Sequence, residues 1–271
     1  MSTKIKKRGL AFYIKIYFKI IAQDIKSKMS YRADFIISNL GMIIQHGASF
    51  ITFWILFQNF PSVMGWEYEE MLFFYGFSLI AMTPMQCLFD NNWFLRHKVY
   101  SGDFIKYCFR PINVFFYYIS EIFDLKGIGL FTAGTAILIY SWSKLELAFS
   151  VLTLGLLVIN LVAASLFMIA IMNLAAATCF WTINGGITMV FAQQFQSYAR
   201  YPITIFGKFL RFVFTFVIPM AFVSYYPSLT FLSPDEIPLL TWLCPLIGVA
   251  FFLLSYFVWM KGAKNYSGTG S

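Results

Sequence analysis

IPLLTWLCPLIGVAFFLLSYFVWM, residues 237–260, runs without one charged side chain between Asp235 and Glu236 on one side and Lys261 and Lys264 on the other. As an α-helix it is longer than a hydrocarbon core of about 30 Å requires. Acidic residues before the run and basic ones after it also give it a direction. Comparable runs recur upstream. A first span reads Phe35 to Phe57, and a second runs from about Glu70 to Phe89 with an expected kink at Pro84. A third ends near Trp142 and starts between Val114 and Leu125, a fourth starts near Leu147, and a fifth covers about Ile205 to Tyr225.

The composition agrees. Of 271 residues, 59% are hydrophobic and 12% charged, with a mean hydropathy of +0.71, against about 25% charged in a soluble domain. So few charges cannot cover a water-exposed surface. The sequence therefore predicts an all-α integral membrane protein of six transmembrane helices, one domain over residues 1–271.

Orientation follows from Lys and Arg, which cytoplasmic loops retain. Nine precede the first span, four lie at Arg96 to Arg110, three at Arg200 to Arg211, and two are Lys261 and Lys264. In the six-span reading these eighteen share one side, leaving Lys144 opposite and Lys126 near a boundary. Both termini are then expected in the cytoplasm, with Glu67, Glu69, Glu70, Glu146, Asp235 and Glu236 on the other face. The net charge of +8 sits beside apolar runs, so it points to lipid and not to nucleic acid.

One stretch strains this reading, because Leu145 to Ile183 is apolar for longer than one span needs. A seventh crossing would place Lys261 and Lys264 outside. The expectation is one long fourth helix followed by an interfacial or re-entrant piece around 184–197.

Before the first span, residues 9–30 form an amphipathic pattern: Arg8, Lys15, Lys19 and Lys26 share one face, and Ile14, Tyr17, Ile20, Ile21 and Ile25 lie opposite. Residues 1–32 thus read as a cytoplasmic tail with an interfacial helix, its lysines facing anionic headgroups. The lysines spaced along it, and the lack of a small-residue cleavage site, do not fit a signal peptide.

No catalytic machinery is legible. There is no GxxxxGK[ST] phosphate loop, and His46 and His97 are the only histidines, which excludes HExxH zinc chemistry. GxSxG and paired-aspartate diphosphate motifs are absent. His97 and Asp103 miss an acyltransferase spacing by one residue. Cys87, Cys108, Cys179 and Cys244 form no CxxC pair. Neither catalytic nor metal residues are expected.

Two groups stand out within apolar context. In the first span Ser38, Asn39, Gln45, His46, Ser49 and Thr52 share a face, which must turn toward protein or water. Glu121, Asp124 and Lys126 lie where a charge would cost about 2.5–3.5 kcal/mol at the bilayer centre. Glu121 and Asp124 share a helical face that Lys126 does not, so their partners must come from another element. Asn39, Gln45, His46, Ser49, Glu121 and Asp124 are the candidate substrate path, and helix packing or a boundary position are the plainer readings.

The loop 90–111 is longer and more polar than a connection requires, with room for a short cytoplasmic helix. Its end, SGDFIKYCFRP at 101–111, resembles the glycine-to-Arg-Pro signature of ABC type 2 permeases, in which this loop carries the coupling helix. Arg200-Tyr201-Pro202, then Ile218-Pro219-Met220-Ala221-Phe222 with Tyr225-Tyr226-Pro227, and the terminal Tyr266 to Ser271 support the resemblance in that order. Together they look like a subfamily of bacterial exporters of drugs and organic cations.

That resemblance implies a permease subunit in the bacterial cytoplasmic (inner) membrane, driven by two separate ATPase subunits that hold the ATP and Mg, with no cofactor in this chain. It also implies a second permease chain, as a homodimer or, preferably, a heterodimer. Gly102, Asp103, Phe104, Arg110 and Pro111 would carry ATPase coupling, with Asp103 and Arg110 as polar contacts and Pro111 restarting the third span. The cargo would be an amphipathic or cationic small molecule. A passive channel or scaffold subunit is the alternative, and a membrane-embedded enzyme a more distant one.

Overall fold

The computed structural model describes residues 9–30, 32–182, 185–234 and 237–266. The side chains of Leu10, Arg32, Asp34, Phe35, Ser38, Asn39, Met42, Ile43, Gln45, His46 and Ser49 fall outside that description. Twelve α-helices are described: α1 (Leu10–Met29), α2 (Arg32–Asn59), α3 (Tyr68–Leu88), α4 (Leu95–Tyr100), α5 (Ile105–Cys108), α6 (Val114–Ser120), α7 (Lys126–Lys144), α8 (Val151–Ala177), α9 (Gly185–Tyr198), α10 (Lys208–Phe212), α11 (Tyr225–Leu232) and α12 (Leu239–Asn265). A two-residue ladder, Ser62–Val63 against Trp66–Glu67, closes the turn between α2 and α3. Among the described residues, the helices at Tyr68–Leu88, Val151–Phe180 and Leu239–Asn265 are long and apolar enough to cross a membrane.

Helix starts follow local chemistry. Glu67 and Glu70 form a capping box on α3, and Ser150 and Thr153 form one on α8, so the first N–H groups find acceptors. Pro84 stays within α3. Between α6 and α7, Glu121 to Leu125 is not helical, so the third long helix begins at Lys126.

Small residues set the packing. A Cβ on Gly248 of α12 would lie 2.4 Å from the Ala163 carbonyl oxygen of α8, and one on Gly76 of α3 would lie 2.8 Å from the Leu138 nitrogen of α7. Bare backbone is what lets these pairs approach, as in membrane helix pairs generally. α12 runs parallel to α8, with Gly248 at Ala163, Ser255 at Asn173 and Gly262 at Phe180. α7 runs antiparallel to α3: Ser141 donates to the Glu69 carbonyl at 2.6 Å near one end, and Gly127 abuts Cys87 near the other. The bundle therefore has an end marked by Glu67, Glu69 and Glu70 and an opposite end holding Arg96, Lys98, Lys106, Arg110, Lys261 and Lys264.

Ile205 to Tyr225 corrects the sequence reading, because it is not one helix. After α9, the Arg200 guanidinium sits 5.5 Å over the Tyr75 ring, and Thr204 accepts from Trp66 Nε1 at 2.6 Å. The chain has then reached the Glu67 end. α10 and one π-helical turn, Val213–Val217, lead inward, with Phe214 against Tyr198 and Phe195. Phe222 meets Phe167 midway along α8, and α11 returns outward to place Phe231 against Trp142 and Phe73. Pro219 at the turn has no N–H to continue a helical ladder. Arg200 and Arg211, whose guanidinium bonds the Thr204 carbonyl at 3.1 Å, accordingly lie toward the Glu67 end and not with the cations of the opposite end. The piece at 184–197, expected as interfacial or re-entrant, corresponds to α9, a helix packed along α8.

α1 lies across the basic end. Tyr13 and Tyr17 contact Phe116 of α6, Asp24 accepts from the Phe123 N–H at 3.0 Å, and Lys28 donates to the Phe123 carbonyl at 2.7 Å. Beside this packed face run an exposed apolar row of Ile14, Phe18 and Met29 and an exposed row of Lys15, Lys19 and Lys26.

Candidate functional site

The loop after α3 folds as a platform on the basic end. The one short helix expected within the loop 90–111 is replaced by a 3-10 turn at Asp90–Phe94 and the short helices α4 and α5. Gly102 links the two helices at φ +84°, a left-handed conformation that glycine adopts without strain. The turn, closed by the Phe104 N–H on the Lys98 carbonyl at 2.9 Å, sends Phe104 inward.

Phe104 is fully buried in an aromatic cage. Its ring lies 5.1 Å from Phe180 at the foot of α8, 5.9 Å from Trp259 of α12, 5.9 Å from Tyr118 of α6 and 5.3 Å from Tyr266. Trp259 in turn touches Phe115, Tyr118 and Phe180. Edge-to-face packing of this kind fixes ring positions as well as burying area. Tyr266 also donates to the Val99 carbonyl at 3.2 Å.

Polar contacts fasten the same platform. Glu121 accepts from Lys98, Tyr107 and, at 2.9 Å, Lys106. Burial pushes its carboxyl up, but these three donors outweigh burial and hold it down at about 2. Burial and the Glu121 contact raise the Tyr107 phenol far above its ordinary range. Burial, and next the Asp124 carboxylate, raise Asp90 to about 6. Asn92 donates to Asn173 of α8 at 2.7 Å, and Asn173 to Ser255 of α12 at 3.5 Å, a buried chain from the loop into two spans.

The outer face is different. Phe94, Tyr100, Ile105 and Phe109 are exposed, Phe109 at 80%, alongside exposed Asp103, Arg110 and Pro111. Asp103 accepts from Ser101 at 2.8 Å, and Arg110 lies 5.8 Å from the Tyr117 ring. The structure thus brings Gly102, Asp103, Phe104 and Arg110 onto one platform, but separates buried Phe104 from exposed Asp103 and Arg110. Pro111 does not restart a span: it precedes the seven-residue α6, which Asn113 caps by accepting from the Phe116 N–H at 2.9 Å.

Of the candidate substrate path, Glu121 belongs to this platform. Asp124 sits beside it, 3.6 Å from Lys126 and bonded by Gln86. The side chains of Asn39, Gln45, His46 and Ser49 lie outside the described residues. Cavities of about 420 Å³ (Tyr17, Asn113, Phe116, Tyr256) and about 520 Å³ (Thr83, Pro84, Phe131, Ser165) share Leu88, Phe89 and Phe252, and a third of about 490 Å³ lies between the loop and α9. Neither Glu121 nor Asp124 lines any of the three. Among the described residues no three His, Cys, Asp or Glu side chains gather as a metal site.

Sequence reasoning missed Asn92, Asn173, Tyr118 and Trp259. Asn173, one of two amides with Asn160 in the apolar run of α8, carried the available signal.

No curated protein and no solved structure gives a match. The profile of the ABC-2 family transporter protein matches residues 43–270, a range that holds the platform and the spans behind it. Matched over that range, the chain belongs to the ABC-2 transporter family, as a membrane permease component that works with ATPase subunits.

Proposed function

We propose that this chain is the membrane half of an ATP-driven exporter in the bacterial cytoplasmic (inner) membrane. α2, α3, α7, α8, α9 and α12 form six crossings with both termini in the cytoplasm. Two ATPase subunits, with their ATP and Mg, dock on the loop 90–111, and a second permease chain, preferably a homologue of different sequence, completes the path.

The observation that carries this reading is the two-sided platform. Its inner side is tied to α8 and α12 through Phe104, Trp259 and the Asn92–Asn173–Ser255 chain, while its outer side exposes aromatic rings beyond any span. Tyr, Phe and Arg exposed together are the residues that anchor protein interfaces. A push on Phe109, Asp103 and Arg110 reaches the spans through rigid contacts. The cargo is an amphipathic or cationic small molecule, a class that suits the apolar cavities around Leu88, Phe89 and Phe252.

The test is to purify the tagged chain from its native membrane in mild detergent, identify what accompanies it by mass spectrometry, and assay ATP hydrolysis. We expect an ATPase with a Walker motif to be recovered. Phe109→Glu and Arg110→Ala, both on exposed residues, should abolish its recovery with insertion unchanged. Recovery of the chain alone in several detergents would sink the exporter reading in favour of a channel or scaffold.

A further inference from the structure

Between α6 and α7 the chain runs without helix through 121–125, and this short break ties several elements together. Glu121 holds α4 and α5 through Lys98 and Lys106, and the Asp124 N–H donates to the Cys87 carbonyl of α3 at 3.0 Å. Between them, both backbone polar groups of Phe123 are taken by α1: Asp24 accepts from its N–H at 3.0 Å and Lys28 donates to its carbonyl at 2.7 Å, while Lys28 and Asp24 pair with each other at 2.7 Å. Outside a helix these two groups have no ladder to satisfy them, so α1 completes the backbone of the break. Tyr13 and Tyr17, against Phe116, extend the same contact along α6. The rest of α1 is turned elsewhere. At about 100° per residue, Ile14, Phe18 and Met29 form an apolar row next to the packed face, and Lys15, Lys19 and Lys26 form a basic row about 80° farther round. Phe18 is 64% exposed, and the three lysines are exposed with no ion pair among the described residues. α2, the first of the proposed crossings, starts at Arg32, just after α1 ends at Met29, which holds α1 at headgroup depth. Adjacent apolar and basic rows at that depth fit an anionic lipid surface, with the apolar row below the headgroups and the lysines among them.

We propose that α1 is a clamp set by the charge of the membrane surface: anionic lipid on Lys15, Lys19 and Lys26 holds α1 against Phe123 and so steadies the platform, and a neutral surface lets the clamp open. The packed face and the two lipid-facing rows are separate, so α1 binds Phe123 and lipid at once. Each contact places α1 where the other needs it, which makes the coupling positive. A lysine near an anionic surface is worth about fivefold in occupancy, and salt screens the effect. That the clamp then tunes ATP hydrolysis rests on the exporter reading, because it requires the ATPases to dock on the platform. The clamp itself does not rest on it.

The experiment is hydrogen exchange of the full-length chain in nanodiscs of phosphatidylcholine, with or without added phosphatidylglycerol, read by mass spectrometry on peptides covering 121–125. We expect exchange there to slow by about tenfold or more in the anionic discs, and the difference to shrink in high salt. Lys15→Gln, Lys19→Gln and Lys26→Gln together, all on exposed residues, should erase the difference and leave exchange in phosphatidylcholine unchanged. Asp24→Ala, which removes the acceptor of the Phe123 N–H, should exchange fast in both discs. Equal exchange in the two discs, or a difference that survives the three lysine substitutions, would overturn the proposal. Should no ATPase accompany the chain, the exporter reading fails, and these exchange rates still decide the clamp.

Discussion

Asp90 lies at the turn from α3 into the platform, largely shielded from water, with the like-charged Asp124 carboxylate disfavouring its ionisation and Gln86 donating to it at 3.2 Å. Its folded-state pKa, raised from 3.8 to about 6, sets a sign. The folded protein holds a proton that the unfolded chain has already released, so stability falls as pH rises from about 4 to 6 and stays reduced above that. Asp90→Asn keeps the acceptor for Gln86 and removes the charge. It should therefore raise stability at pH 7.5 by on the order of 1 kcal/mol, with the advantage shrinking as pH falls from 6 to 4; melting temperatures of both proteins in detergent at pH 7.5 and pH 4 check this. Glu121 titrates the opposite way. Held down at about 2, it keeps Lys98 and Lys106 bound through the whole neutral and mildly acidic range. The residue types were legible before the structure, and for Glu121 so was the need for a partner from another element; for Asp124 that reading fails, because 121–125 is not helical and Lys126 lies 3.6 Å from its carboxylate. The partners of Glu121 were not legible, since Lys98 and Lys106 read as ordinary loop cations.

At the scale of elements, α8 and α12 are decided by backbone approach. Gly248→Val would thrust carbon into the Ala163 carbonyl and should cost about 1–3 kcal/mol through overpacking. Gly155, on the same α8 but with nothing within 4 Å of an added Cβ, should accept valine without loss. Thermal stability and monodispersity of the two purified variants make the comparison. Long spans such as α12 could be read directly, because a charge-free run of that length has one stable solution in lipid. The stretch 205–225 could not. Its apolar content is that of a span, but Pro219, the π-helical turn and Gly207 divide it, and side chains of α8 and α3 cover the divided backbone. Hydropathy counts apolar residues and does not register whether the neighbours are lipid or protein. The same blindness hid the platform's split into two short helices around Gly102.

The whole molecule has two ends whose cations do not divide as the sequence count implied. Placing Arg200 and Arg211 toward the Glu67 end makes a direct prediction for intact cells. Phe209→Cys, 77% exposed and next to Lys208, should react with a membrane-impermeant maleimide in a background lacking the native cysteines. A chain retaining only Cys108, exposed on the platform, should react only once the membrane is opened. The reverse pattern would return residues 200–211 to the cytoplasmic side. The contacts of Trp259 and Tyr266 with Phe104 and Val99 also impose an order on biosynthesis. Residues 95–107 leave the ribosome long before the two aromatic residues that seat them, so the platform stays unfinished until the last crossing is synthesised. If the ATPases dock on this platform as proposed, an immature chain offers them no completed surface, and the order of translation then acts as a checkpoint on assembly.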